Sequence, residues 1–215
     1  MQFSIFRNND DEGTDRLEGF RYQAEIIEPA VEAALIKRVR ELPFQEFEFH
    51  GYKGKRRVVS YGWKYEFSGG GQLHRAEDIP QFLLELRSRA ASFAKLEPAA
   101  FEHVLVTEYR PEAGIGWHRD KSVFGQVVGI SLLAPCVLRF RRKVNAKWER
   151  VNVLAEPRSA YHRRERSGNT ASFASMRCDI QLLFGLFWPL IVLRPGEEFI
   201  HPTSVSREPF RNTFG

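Results

Sequence analysis

The chain is poor in sulfur, with two cysteines, Cys136 and Cys178, and two methionines in 215 residues. Two thiols build neither a disulfide framework nor a cysteine-based zinc site, and they suit a reducing interior, so a cytoplasmic location is expected. Long apolar runs are also missing. The longest, Leu182 to Leu193, is interrupted by Pro189 and falls short of the ~20 residues that cross a bilayer, so no membrane attachment is expected. The opening MQFSIFRNNDDEGTD places acids where an export signal carries its apolar centre, and residues 1–17 read as a loose leader. Hydrophobic residues at 43% and charged residues at 27% exclude a disordered, collagen-like or coiled-coil chain. The length suits one compact domain, expected as a monomer. In excess is positive charge: 32 Lys and Arg against 27 Asp and Glu leave +5 and a bias towards acidic partners such as nucleic acid.

Pattern changes along the chain. Pro29 to Leu42 predicts a helix, with proline in the first turn and Val31, Leu35, Val39 and Leu42 at helical spacing. A second helix is predicted from an Asp78 cap to Lys95, with Ile79, Phe82, Leu83, Leu86, Ala90 and Phe93 on one side. Between them Arg56 to Phe67 alternates and is rich in β-branched and aromatic residues, as a strand would be, before Gly69-Gly70-Gly71. From residue 100 onward HVLVTEY, VVGISLL, CVLRFRRK and WERVNVL predict successive strands. Helices followed by strands imply an α+β domain ending in a sandwich or barrel. Past Tyr161 the alternation collapses.

Chemistry concentrates in TEYRPEAGIGWHRDK, Thr107 to Lys121. His118 and Asp120 are two apart, so an extended backbone projects both side chains from one face. Imidazole and carboxylate are two thirds of the facial triad that holds Fe(II) with coordination sites left open. A bare His-x-Asp arises readily by chance, and a polar turn after Gly114 and Gly116 accounts for it equally well. The surrounding sequence adds weight.

PFQEFEFHGYKGKRRVVSYGWKYEF, IPQFLLELRSRAASFA, FEHVLVTEYRPEAGIGWHRDKSVFGQVVGISLLAPCVLRFRRK and AEPRSAY occur in that order over residues 18–161. This stretch resembles the bacterial AlkB-like proteins of the 2-oxoglutarate- and Fe(II)-dependent dioxygenases. The resemblance implies a double-stranded β-helix, or jelly-roll, with the N-terminal helices packed on one sheet. It implies Fe(II) held by His118 and Asp120, 2-oxoglutarate as co-substrate hydrogen-bonded by Tyr109, and Thr107 where AlkB itself has asparagine. It also implies oxidative demethylation of alkylated, single-stranded nucleic acid: a carbon on nitrogen is hydroxylated and formaldehyde leaves. Tyr61, Trp63 and Tyr65 would then stack a flipped base beside Lys53, Lys55, Arg56 and Arg57, although sheet packing accounts for such aromatics too. Arg139, Arg141 and Arg142 would track phosphates or simply be solvated.

The same resemblance calls for a second histidine some fifty residues beyond the aspartate, then an Arg-x-(Asn/Ser)-x-Thr-x-Arg pattern whose arginine clamps the keto acid. Neither stands in place, so residues 162–215 are an atypical tail and its strands are not expected in regular form. His162 and His201 are the weak candidates for third ligand, and both read better as solvated surface histidines. A shift in frame explains the gap. Starting from the third base of the Gly168 codon, synonymous codons for Gly168 to Phe187 spell EHSIFRIDALRYSITFRTF, which contains both the histidine and the arginine pattern. Three functions are consistent with this sequence: an active AlkB-like demethylase, a catalytically defective member of that family, and a basic β-domain that binds nucleic acid without redox chemistry.

Overall fold

The computed structural model describes residues 17, 19–49, 52–66, 72–110, 113–118, 124–164, 173–178 and 181–189, the last two segments by their backbone. Thirteen strands and two α-helices follow in chain order: β1 (Phe20–Gln23), α1 (Pro29–Val39), β2 (Gln45–Phe49), β3 (Tyr52–Tyr61), β4 (Trp63–Glu66), β5 (Gln72–Arg75), α2 (Leu84–Ala94), β6 (His103–Tyr109), β7 (Gly114–His118), β8 (Phe124–Leu132), β9 (Cys136–Val144), β10 (Lys147–Ala155), β11 (Ala160–Arg164), β12 (Phe173–Cys178) and β13 (Gln181–Pro189). A seven-stranded sheet runs β1-β11-β8-β13-β6-β3-β2, a four-stranded sheet runs β10-β9-β12-β7, and β4 and β5 form a separate hairpin. Two facing sheets with helices behind the larger one are the jelly-roll expected above.

Side-chain alternation divides the core in two. Val104 and Val106 of β6, Val128, Ile130 and Leu132 of β8, and Ala160 of β11 pack against Leu35 and Val39 of α1 and Leu86, Ala90 and Phe93 of α2. The opposite faces close a second core between the sheets: Phe20, Tyr109, Ala113, Cys136, Leu138, Phe140, Val153 and Ala155. Glu32 of α1 is buried and bridges the layers, accepting the Leu133 backbone N–H at 2.9 Å and the Arg158 guanidinium at 3.2 Å. Those donors sit in turns with φ of +73° and +63°, where a fixed acceptor helps hold an unfavourable backbone.

Three predicted elements change on folding. The second helix starts later than Asp78: Pro80 forces Ile79 out of the helical region, a single 3₁₀ turn covers Gln81–Leu83, and the α-helix begins at Leu84. Asp78 pairs with Arg75 instead. The predicted strand from Arg56 to Phe67 is broken at Gly62, whose φ is +75° and whose missing side chain leaves room for the Glu102 carbonyl. The tail past Tyr161 keeps strand structure after all, since β11, β12 and β13 occupy interior positions in both sheets. Backbone pairing is indifferent to side-chain identity, so an irregular sequence fills a slot whose neighbours already present their ladders. The leader, up to residue 16, lies outside the described residues.

Candidate active site

The barrel between the sheets is lined from β6 and β3 on one side and β7 and β9 on the other. In β6, Thr107 and Tyr109 point inward while Val104 and Val106 meet the helices. In β3, Arg56 stands opposite Tyr109 and donates from Nη1 to its hydroxyl at 3.3 Å, with the guanidinium 3.8 Å over the Phe47 ring. Arg57 points the other way. It pairs with Glu108 and lies 5.4 Å from the Phe44 ring, on the helix-side face. The two arginines expected to act together are therefore on opposite sides of the strand, because successive strand residues alternate. Lys53 pairs with Glu46 at the surface.

A bulge sets the direction of His118. Ile115 and His118 are three residues apart, yet their partners on β12, Met176 and Ala174, are two apart. One extra residue in β7 turns His118 to the same side as Ile115, which packs on the inter-sheet core. Ala174 in turn stands opposite Phe140, a barrel-lining residue, so His118 shares that facing. Its Nδ1 lies 2.9 Å from the Gly116 carbonyl oxygen. A carbonyl only accepts, so in this contact Nδ1 donates, the kind of hydrogen bond that fixes the ring orientation of a metal-binding histidine. Asp120 lies outside the described residues.

The residues 119–123 connect His118 to Phe124, and the Phe124 ring meets Tyr65 of the β4–β5 hairpin at 6.1 Å between centroids. The same ring lies 5.4 Å from His103. His103 escaped the sequence reading. Its signal was its place in HVLVTEY, on the alternation that carries Thr107 and Tyr109. Burial pushes its pKa down to about 4, so the ring is neutral. Trp63, half-buried on the same hairpin, donates Nε1–H to Glu102 at 3.0 Å and carries Arg75 5.6 Å from its ring.

Two sequence expectations fail here. Tyr61 is only 4% exposed and belongs to the helix-side core, so it packs and offers no stacking face. His162 is no solvated histidine: it is 6% exposed on β11, donates Nε2–H to Gln126 at 2.8 Å and packs edge-on against Phe93. Burial, with Arg21 and Arg164 nearby, lowers its pKa to about 4. It lies on the helix side of the larger sheet, with that sheet between it and His118, and serves as no ligand. His201 lies outside the described residues.

The residues 19–173 match the family described as the 2OG-Fe(II) oxygenase superfamily. The chain belongs to the 2OG-Fe(II) oxygenase superfamily. Solved structures of similar fold include OsALKBH1, at 14% identity and TM-score 0.57, covering 79% of this chain and 97% of that one. A 2OG-Fe(II) oxygenase-family oxidoreductase from Burkholderia pseudomallei follows at 13% and 0.56, covering 86% and 93%. A Pseudomonas putida prolyl-4-hydroxylase matches at 12% and 0.51, covering 82% and 95%. At such identities the likeness concerns the fold.

Members of this superfamily use Fe(II) and 2-oxoglutarate, and the residues here fit that pair in part. His118 has the facing of a ligand, and Tyr109 with Arg56 forms a polar couple in the barrel. The strand facing His118 supplies no second imidazole: β12 reads FASMRC, with Ala174 in register with His118. β13 reads QLLFGLFWP, which contains no cation, and sets Gln181 opposite Tyr109. Among the described residues, no three His, Cys, Asp or Glu side chains converge to hold a metal.

Proposed function

We propose that this oxygenase is AlkB-like and directed at alkylated bases of single-stranded nucleic acid, the substrates of an oxidative demethylation. The carrying observation is the hairpin β4–β5, which sets Tyr65 against Phe124, whose ring also lies beside the buried His103. An aromatic hairpin over one end of the barrel is what stacking of an extruded base needs. His103, neutral and buried, adds a polar ring to that end of the barrel. Arg75 beside Trp63 and the net charge of +5 suit a phosphate-bearing substrate. The resemblance over residues 18–161 supports the same substrate class.

A second reading concerns this chain's own competence. With Ala174 facing His118 and Gln181 facing Tyr109, the chain is catalytically impaired while substrate recognition is retained. Both are tested on the full chain with Fe(II), 2-oxoglutarate and a short N-methylated single-stranded oligonucleotide. We expect tighter binding to the methylated strand than to its unmodified twin, lost in Tyr65→Ala. Equal binding of the two strands overturns the substrate. Succinate formation is expected to match a His118→Ala control, and succinate well above it overturns the impairment.

A further inference from the structure

Arg56 is aimed into the barrel by three separate features. Between the ladder pairs Glu46–Arg57 and Glu48–Lys53, β2 contributes Phe47 alone while β3 contributes Gly54, Lys55 and Arg56. Such a bulge re-aims side chains of the longer strand, and bulges gather beside functional sites. The Phe47 ring lies 3.8 Å from the guanidinium and braces it from β2. Towards the barrel, Nη1–H reaches the hydroxyl of the buried Tyr109 at 3.3 Å.

The ladder shows why this matters. β6 has β3 on one side and β13 on the other, so Tyr109 stands between Arg56 and Gln181. β13 brings glutamine to that register and no cation anywhere along QLLFGLFWP, whereas β3 brings a guanidinium. The cation beside Tyr109 therefore comes from the strand before β6 and not from the tail, where the family's pattern calls for one. A carboxylate only accepts, and a tyrosine O–H and an arginine fork both donate, so this pair suits one carboxylate. A hydroxyl that accepts from a cation is also polarised to donate. The phosphates of a nucleic-acid strand fit less well, because they track a charged surface groove and Tyr109 is buried between the sheets.

We propose that Arg56 and Tyr109 bind the distal carboxylate of 2-oxoglutarate, so that the chain keeps a dicarboxylate-selective keto-acid site without the arginine pattern in its tail. The inference rests on the superfamily assignment and not on the substrate reading. It also moves Arg56 from the nucleic-acid contacts expected from sequence to the co-substrate.

The test measures dissociation constants on the full chain by calorimetry in Mn(II)-containing buffer. Its probes are 2-oxoglutarate and 2-oxopentanoate, the same carbon chain with a methyl group in place of the distal carboxylate. Wild type is expected to prefer 2-oxoglutarate by roughly 10- to 100-fold, the worth of a charge-assisted hydrogen bond. Arg56→Gln is expected to remove that preference by weakening 2-oxoglutarate alone. Arg56→Lys keeps the charge without the fork and is expected to retain part of the preference. Arg57→Gln makes the same charge change on the opposite face of β3 and is expected to move neither constant. A wild type without the preference overturns the site, as does a preference intact in Arg56→Gln. Equal loss of both keto acids in Arg56→Gln overturns it too, marking Arg56 as packing for the barrel wall. Arg56→Gln is expected to bind the methylated oligonucleotide as wild type does, and a loss there beside an intact keto-acid preference returns Arg56 to the nucleic acid. Keto-acid preference and methylated-strand preference are separate readouts, so either proposal fails without the other.

Discussion

At the scale of single residues, burial decides protonation. His103 and His162 both hold pKa values of about 4, chiefly because burial penalises the charged ring. Their ordinary value is 6.5, so the unfolded chain takes up protons that the folded chain refuses. Stability is then full above about pH 6.5 and falls as pH drops towards 4, by up to ~3 kcal/mol for each ring. The urea midpoint is expected to fall between pH 7.5 and pH 5, and His162→Phe is expected to flatten that dependence. A midpoint equally steep in the variant shows that His162 ionises freely in the fold. The sequence made His162 look solvated because it sits in YHRRER, among cations. What it could not show is that β11 enters the larger sheet beside β8, where Gln126 and Phe93 receive the ring.

At the scale of elements, small irregularities aim the side chains. Gly62 separates Tyr61, packed behind the sheet, from Trp63 and Tyr65 on the hairpin, although all three share one alternating run. The β7 bulge does the same for Trp117 and His118. Neither device is legible in residue spacing: a left-handed glycine and an extra residue are tertiary compromises inside segments whose composition reads as plain strand. The helices were more legible. Their apolar stripes lie where the periodicity put them, although Pro80 delays the second helix from Asp78 to Leu84 and the first ends at Val39, before Leu42. Glu32 shows how one polar residue on such a stripe ties elements together. Glu32→Ala leaves the half-buried Leu133 N–H and the Arg158 guanidinium without their acceptor, and a loss of about 2 kcal/mol is expected in equilibrium urea unfolding. A loss under about 0.5 kcal/mol indicates that solvent replaces the carboxylate.

At the scale of the whole molecule, architecture and chemistry come apart. β12 lies between β9 and β7, and β13 between β8 and β6, so the jelly-roll closes. Yet the residues placed there are alanine opposite His118 and glutamine opposite Tyr109. We propose that residues 169–187 are translated out of their ancestral frame. Replacing them with EHSIFRIDALRYSITFRTF is expected to raise affinity for Mn(II), a redox-silent stand-in for Fe(II), by at least about 10-fold in calorimetry. Succinate formation above a His118→Ala control should appear with it. A chimera that binds metal no better defeats the frame account, as do codons for residues 168–187 that cannot spell the alternative string.

Sequence alone determined the 2OG-Fe(II) oxygenase superfamily, the two helices, the four strands built on HVLVTEY, VVGISLL, CVLRFRRK and WERVNVL, and the candidacy of His118 and Tyr109. The helices and strands are carried by local periodicity, and the family and Tyr109 by resemblance over a long ordered stretch of sequence. Tertiary structure alone decided which face each residue takes: His118 inward and Trp117 outward, Arg56 to the barrel and Arg57 to Glu108, Tyr61 and His162 into the helix-side core. The reason is physical. Facing depends on bulges, kinks and sheet partners that form between distant segments, and backbone ladders accept whatever side chains the chain brings to them.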